Sequence, residues 1–301
     1  MISKVKTIRV SALTACAAVF TFPLNACVKK STDATTKATI TDSNGDIRQV
    51  DLSTFVAKRG ECSGPGGYEI AASRNMRYSR AQFDMVGVIQ FPKNNDDPGS
   101  LKAFKDIVTE YEQGLLIAYT GGLFSSLNPW LRETKDRIPE LDRHYTDEQW
   151  SQMALCLASG INKLAQYQGG FNRLQAFRGA RLDSAFVAGR YKKGSVITER
   201  GFQSYSFDKN VAVGYSGAGN MTEPEKKNVL FVVQGSGMVG ASIEVISSFP
   251  EEKELLLNSD HKFCVADVAE KKVGEFVPEH QNKDSFLTAV YLTIGGEKCG
   301  G

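Results

Sequence analysis

The stretch QYQGGFNRLQAFRG, residues 166–179, is where the chain changes character. Before it, apolar residues recur at helical spacing. Leu101, Phe104, Ile107, Val108 and Tyr111 predict one helix and Leu115 to Tyr119 a second. Thr146-Asp147-Glu148-Gln149 supplies a capped start for another, carried on through Met153, Leu157, Ile161 and Leu164. After it, short apolar runs stand between Gly and Pro turns. Leu174 to Phe177, Ala185 to Val187, Val229 to Val233, Ile243 to Ile246, Phe263 to Val265 and Phe286 to Ile294 predict strands. Helices first and strands second imply an α+β domain, here placed over residues 101–299.

Upstream, residues 1–26 read as an export signal. Lys4, Lys6 and Arg9 precede a mostly apolar run from Val10 to Phe22, too short to span a bilayer well. The run ends in Leu24-Asn25-Ala26-Cys27, which resembles a bacterial lipobox despite the unusual Asn25. That makes Cys27 the expected lipid anchor, holding the protein to a cell envelope (the outer membrane, where there is one). Cleavage after Ala26 and plain secretion is the alternative. Residues 27–48 are rich in Lys, Ser, Thr and Asp without an apolar period, the composition of a flexible tether. Residues 49–100 form an N-terminal extension with turn clusters at Gly64-Pro65-Gly66-Gly67 and Asn94-Asn95-Asp96-Asp97, and no function attaches to them.

The three basic residues of the signal exceed the formal surplus of +2, so the rest of the chain is close to neutral and nucleic acid is not its bulk partner. Cys62, Cys156, Cys264 and Cys299 remain after export, enough for two disulfides in an oxidising compartment, with three possible connectivities. A Cys62–Cys299 clasp between the two ends is the favoured one; a simply buried Cys156 thiol is the alternative. There is no CxxC pair and only three His, so no metal site is expected.

Three segments carry the chemistry: Phe177-Arg178-Gly179 at a strand end, Gly201-Phe202-Gln203-Ser204-Tyr205-Ser206-Phe207, and Ser247-Ser248-Phe249-Pro250-Glu251-Glu252-Lys253-Glu254-Leu255-Leu256-Leu257. Each is weak alone. In this order they resemble the arginine–serine–glutamate branch of the mono-ADP-ribosyltransferases, with Arg178, Ser204-x-Ser206 and Glu252-x-Glu254 as its three parts. The flank LIAYTGGLFSSLNPWLR, residues 116–132, resembles the family's upstream helix with its YT and N-x-x-LR pieces. The resemblance implies a helical N-terminal part packed on a two-sheet, mainly antiparallel β core. It also implies NAD as substrate, with ADP-ribose passed to an arginine-bearing acceptor protein and nicotinamide released.

The implied roles have physical reasons. Arg178 offers a paired fork of donors to a pyrophosphate. Gly179 lets the backbone approach nicotinamide. Glu254 stabilises oxocarbenium character at the ribose, held by Ser204, with Ser206 closing the strand. Glu252 orients an incoming guanidinium and takes its proton, because that group stays protonated at ordinary pH. Phe249 is the aromatic of the substrate-facing loop and Tyr215 lines the nicotinamide pocket; Glu251 reads as surface charge. An NAD glycohydrolase using water, or a non-catalytic surface lipoprotein on the same fold, are the competing functions.

Gly235-Ser236-Gly237-Met238-Val239-Gly240 is a literal GxGxxG after a strand. Ala241 to Phe249, directly behind it, reads as another strand rather than a helix, so the motif is a turn and not a Rossmann fingerprint.

Overall fold

The structure is a computed structural model. It describes residues 56, 57, 62, 66–74, 104–168, 175–219, 223, 225–235, 240–294 and 299, and the backbone alone of residue 174 and of short strands at 8–9, 37–41, 47–51, 88–90 and 101–103. Apart from the backbone of 8–9, the export signal and Cys27 lie outside the described residues. Within the stretch read as a tether, Lys37–Thr41 pairs antiparallel with Ile47–Asp51. The β-branched Thr39, Ile40 and Thr41 ahead of Asn44-Gly45 form a hairpin signal that the polar composition masks.

The helical lobe is built on close backbone approach. Gly67–Arg74 (α1) crosses Glu110–Ala118 (α2) so tightly that a Cβ on Gly114 would stand 2.0 Å from the Gly67 carbonyl oxygen. Thr109 starts α2 with a capping box: its hydroxyl accepts from Glu112 N, and the Glu112 carboxylate accepts from Thr109 N. The cap fixes the helix start, so the helix predicted from Leu101 begins only at Glu110, and Leu101–Ala103 is instead extended. Phe124–Leu131 (α3) follows a π-helical turn at Tyr119–Leu123, and Asp147–Tyr167 (α4) opens on the predicted Thr146 cap.

Glu112 is fully buried under α4 and satisfied by Lys163 Nζ at 2.7 and 2.9 Å, Ser159 Oγ at 2.5 Å and Thr109 N at 2.8 Å. A buried carboxylate is tolerable because it is both paired and hydrogen-bonded. Arg74 clamps Asp142 through two bonds of 2.8 and 2.7 Å. Part of the 49–100 extension is thus built into the helical lobe.

The disulfides correct the sequence reading: Cys62 joins Cys156 and Cys264 joins Cys299, with Cα atoms 5.5 and 5.3 Å apart. Thr109 Oγ1 donates to the Cys62 carbonyl at 2.7 Å, which seats Cys62 in the helical lobe, away from the C-terminal strand. Cys264 lies opposite Thr293 in the sheet, six residues before Cys299.

Eight strands follow the helices: Leu174–Asp183 (β1), Val196–Glu199 (β2), Gln203–Ser206 (β3), Lys226–Gly235 (β4), Gly240–Ser242 (β5), Glu254–Leu257 (β6), His261–Lys272 (β7) and Phe286–Ile294 (β8). Hydrogen bonds link them in the order β5-β6-β3-β1-β4-β8-β7-β2, antiparallel except for β4 with β8. The two expected sheets are therefore one hydrogen-bonded order, joined between β1 and β3 by the single pair Phe177–Ser206. Both halves nevertheless share one core, with Tyr205, Leu255 and Leu257 from one side and Phe263, Val265, Val290 and Leu292 from the other.

Helix Lys209–Tyr215 covers β1 and β4 through Ala212 and Val213, while the helical lobe covers Ala241 and Leu256. Two predicted strands are corrected. Ala185 to Val187 falls in helix Ser184–Arg190 (α5), because the Asp183 side chain caps it by accepting from Phe186 N at 3.0 Å. Ile243 to Ile246 holds the 3-10 turn Glu244–Ile246. The Lys209–Tyr215 helix is α6. The glycine motif at 235–240 joins β4 to β5, strand to strand.

Candidate active site

Arg178 stands one residue past the pair that joins the two halves of the sheet. Strand alternation turns Phe177 and Gly179 toward α6 and Arg178 to the opposite face. Its guanidinium lies within electrostatic reach of Arg132, Tyr119, Tyr191 and Tyr205. Arg132 is held below the usual arginine range by burial and then by Arg178, so two guanidiniums share one region.

Arg132 is a residue whose role the sequence alone does not reveal, although its N-x-x-L-R setting is visible there. Its Nε donates to the Arg200 carbonyl at 2.8 Å. Asn128, one turn earlier, receives Phe202 N at 2.9 Å and donates to the Tyr119 hydroxyl at 3.0 Å. That hydroxyl donates in turn to the Phe202 carbonyl at 2.9 Å. This cycle locks the helical lobe to the residue that leads into β3.

Gly179 is required by the chain's own packing. A Cβ there would stand 1.8 Å from the Ala212 carbonyl and 2.4 Å from Ser216 N, so the end of α6 occupies the place of a side chain. The nicotinamide-side role expected of this glycine is a separate matter from this constraint.

Ser204, Ser206 and Glu254 share one face of the β3–β6 ladder, with Glu254 opposite Ser206 and diagonal to Ser204. The Ser204 hydroxyl hydrogen-bonds the Glu254 carboxylate. Glu254 is 5% exposed. Burial pushes its carboxyl up to about 7; the Ser204 bond opposes the rise and the nearby Glu252 charge adds to it.

Ser206 does more than close the strand. Its hydroxyl donates to the Glu252 carbonyl at 2.7 Å and accepts from Asp208 N at 2.8 Å, fixing the loop ahead of β6. Between the two glutamates, Lys253 takes a left-handed conformation (φ 47°, ψ 51°) that ends the turn Pro250–Glu252 and starts the strand. This places Glu254 inside and leaves Glu252 half-buried and Glu251 exposed. Lys253 turns to Asp208, Nζ to Oδ2 3.4 Å. Ser248 N donates to Thr120 Oγ1 at 3.1 Å, tying the loop to the helical lobe, and Phe249 stands 48% exposed on it. The Tyr215 hydroxyl donates to the Glu252 carboxylate.

The predicted residues therefore converge: Ser204, Ser206, Tyr215, Glu252 and Glu254 form one bonded set. Tyr119 feels both Glu254 and Arg178 and bridges the set to the arginines. Among the described residues, no three His, Cys, Asp or Glu side chains could hold a metal ion.

The chain also has counterparts among known proteins. The ADP-ribosyltransferase exoenzyme family profile matches residues 97–293. A Mycobacterium avium (strain 104) protein, provisionally named an NAD(+)–arginine ADP-ribosyltransferase, is 32% identical over 150 residues. That region is 50% of this chain and 15% of the relative, so the chain spans only a small part of the relative's length. Among solved structures, the Vis toxin of Vibrio splendidus aligns at 17% identity and TM-score 0.47, covering 82% of this chain and 90% of that one. Exoenzyme S of Pseudomonas aeruginosa aligns at 20% identity and TM-score 0.46, covering 77% and 91%.

The raised Glu254 carboxyl has a consequence for stability. Its folded value lies above its unfolded one, so its contribution is fully present below about pH 4.5 and is lost as pH rises through about 7. Glu254→Gln is expected to melt higher than the parent at pH 8, with the advantage shrinking toward pH 4.5, as read by thermal unfolding at both pH values. An equal melting-point difference at both would contradict the burial of an ionisable carboxyl here.

Proposed function

The chain belongs to the ADP-ribosyltransferase exoenzyme family, and from that premise we propose that it transfers ADP-ribose from NAD to an arginine of another protein, releasing nicotinamide. The observation that carries this reading is the glutamate pair split by left-handed Lys253, one carboxyl buried on Ser204 and the other half-buried at the loop.

In this reading Arg178 and Arg132 together bind the two negative charges of the pyrophosphate, a forked donor set suited to such oxygens. Glu254, once ionised, accepts from the ribose 2′-hydroxyl and opposes the positive charge that grows as the nicotinamide–ribose bond breaks. Ser204 keeps that carboxylate in place. Glu252 receives the acceptor guanidinium and takes its proton as the new C–N bond forms. Phe249, on the same loop, meets the acceptor. The raised carboxyl implies that NAD cleavage gains with pH up to about 7, since only the ionised form stabilises the developing cation.

Glu254→Gln is expected to lose nicotinamide release and agmatine labelling together, by on the order of 100-fold or more. Glu252→Gln is expected to lose agmatine labelling while still releasing nicotinamide to water. The check is parallel chromatography of nicotinamide and ADP-ribosyl-agmatine. Labelling that survives Glu254→Gln would refute the assignment.

We also propose that the protein is exported and lipid-anchored through Cys27, supported by the basic start, the short apolar run and Leu24-Asn25-Ala26-Cys27. Mass spectrometry of the mature N-terminus should find an acylated Cys27. An unmodified Cys27 after cleavage, or an uncleaved leader, would rule the anchor out.

A further inference from the structure

Tyr215 is 62% exposed, so it does not serve the core, yet its hydroxyl donates to Glu252 Oε1. Both ends of this contact are anchored. Tyr215 closes α6, whose terminal turn lies against Gly179 and is pinned by Ser216 N to the Ala212 carbonyl at 3.0 Å. Glu252 is fixed through its own carbonyl by Ser206 and through the turn by Lys253 N to the Pro250 carbonyl at 3.1 Å. The bond thus links two separate elements, the end of α6 and the loop before β6.

The chemistry of the contact is directional. Among the described residues, Glu252 Oε2 has no hydrogen-bond partner, while Oε1 is occupied by Tyr215. A hydroxyl donor on one oxygen restrains rotation of the carboxylate and presents the other oxygen to an incoming cation. The same bond is the main reason the Tyr215 hydroxyl is pushed up to about 12, so it remains a neutral donor throughout the ordinary pH range. The sequence assigns Tyr215 a ring-based role at nicotinamide; the geometry gives its hydroxyl a role at the acceptor side.

We propose that Tyr215 is a positioning residue for the acceptor: its hydroxyl aims the Glu252 carboxylate at an incoming guanidinium and so sets the partition of ADP-ribose between arginine and water. This rests on the transferase reading above. Balance is kept at every step: the nicotinamide–ribose C–N bond breaks with its electron pair leaving on nicotinamide, and a guanidinium nitrogen forms the new bond. Glu252 takes the proton, and Tyr215 keeps its own.

The test is Tyr215→Phe, which retains the ring and removes the hydroxyl. With NAD and agmatine, the ratio of ADP-ribosyl-agmatine to free ADP-ribose is expected to fall about tenfold, the scale of one charge-assisted hydrogen bond. The loss should appear as a raised KM for agmatine. In a Glu252→Gln background, where nicotinamide release to water remains, the same substitution should leave that release unchanged, because the hydroxyl acts through that carboxylate. An unchanged ratio, or transfer and hydrolysis falling in parallel, would overturn the proposal, as would a further loss of nicotinamide release in the Glu252→Gln background. If the parent protein neither releases nicotinamide nor labels agmatine, the transferase reading itself fails; if it does both and Tyr215→Phe keeps the ratio, only the positioning role fails.

Discussion

Between β1 and β3 the eight-stranded order rests on one residue pair, Phe177 with Ser206. Every other neighbouring pair of strands is laddered over at least three residues. The candidate site is assembled around this single pair. Arg178 follows Phe177, Ser204 precedes Ser206 by two residues, and Glu254 lies opposite Ser206 on the next strand. The shared core beneath, from Tyr205 to Leu292, holds the halves together so that the joint itself need not. The proposed chemistry is thus located where the strands pair least, over a shared apolar core.

Burial at this joint has an electrostatic cost, and the two glutamates are not equally buried. Glu254 is enclosed and its charge is disfavoured, with Ser204 offsetting part of the penalty. Glu252, two residues away, reaches the more open side because Lys253 reverses the backbone between them. One short sequence therefore supplies a carboxyl raised by desolvation and a second, half-buried one, the two carboxyls that the proposed transfer uses. Ser206 and Tyr215 hold the half-buried one from two directions.

Much of this is legible in the sequence, for physical reasons. The change of periodicity at residues 166–179 separates helices from strands, and the order of Arg178, Ser204-x-Ser206 and Glu252-x-Glu254 survives any uncertainty in element ends. The illegible parts depend on long-range packing. Helix α1 is a poor helix by pattern and exists because Gly67 and Gly114 let two backbones touch. The disulfide partners depend on which lobe each cysteine joins, which spacing does not encode. Helix α5 reads as a strand because Ala185 to Val187 is apolar, although Asp183 ahead of Ser184 is a cap signal that points to a helix. Arg132 is visible only as a flank, since its pairing with Arg178 requires the helical lobe to be folded against the sheet.

Everything proposed for the site comes down to the fate of NAD when a small guanidine is present. Mass spectrometry of agmatine after incubation with NAD and the protein tests it most directly. The predicted result is agmatine carrying one ADP-ribose, with nicotinamide released in equal amount. Intact NAD, or nicotinamide and free ADP-ribose beside unmodified agmatine, would contradict it.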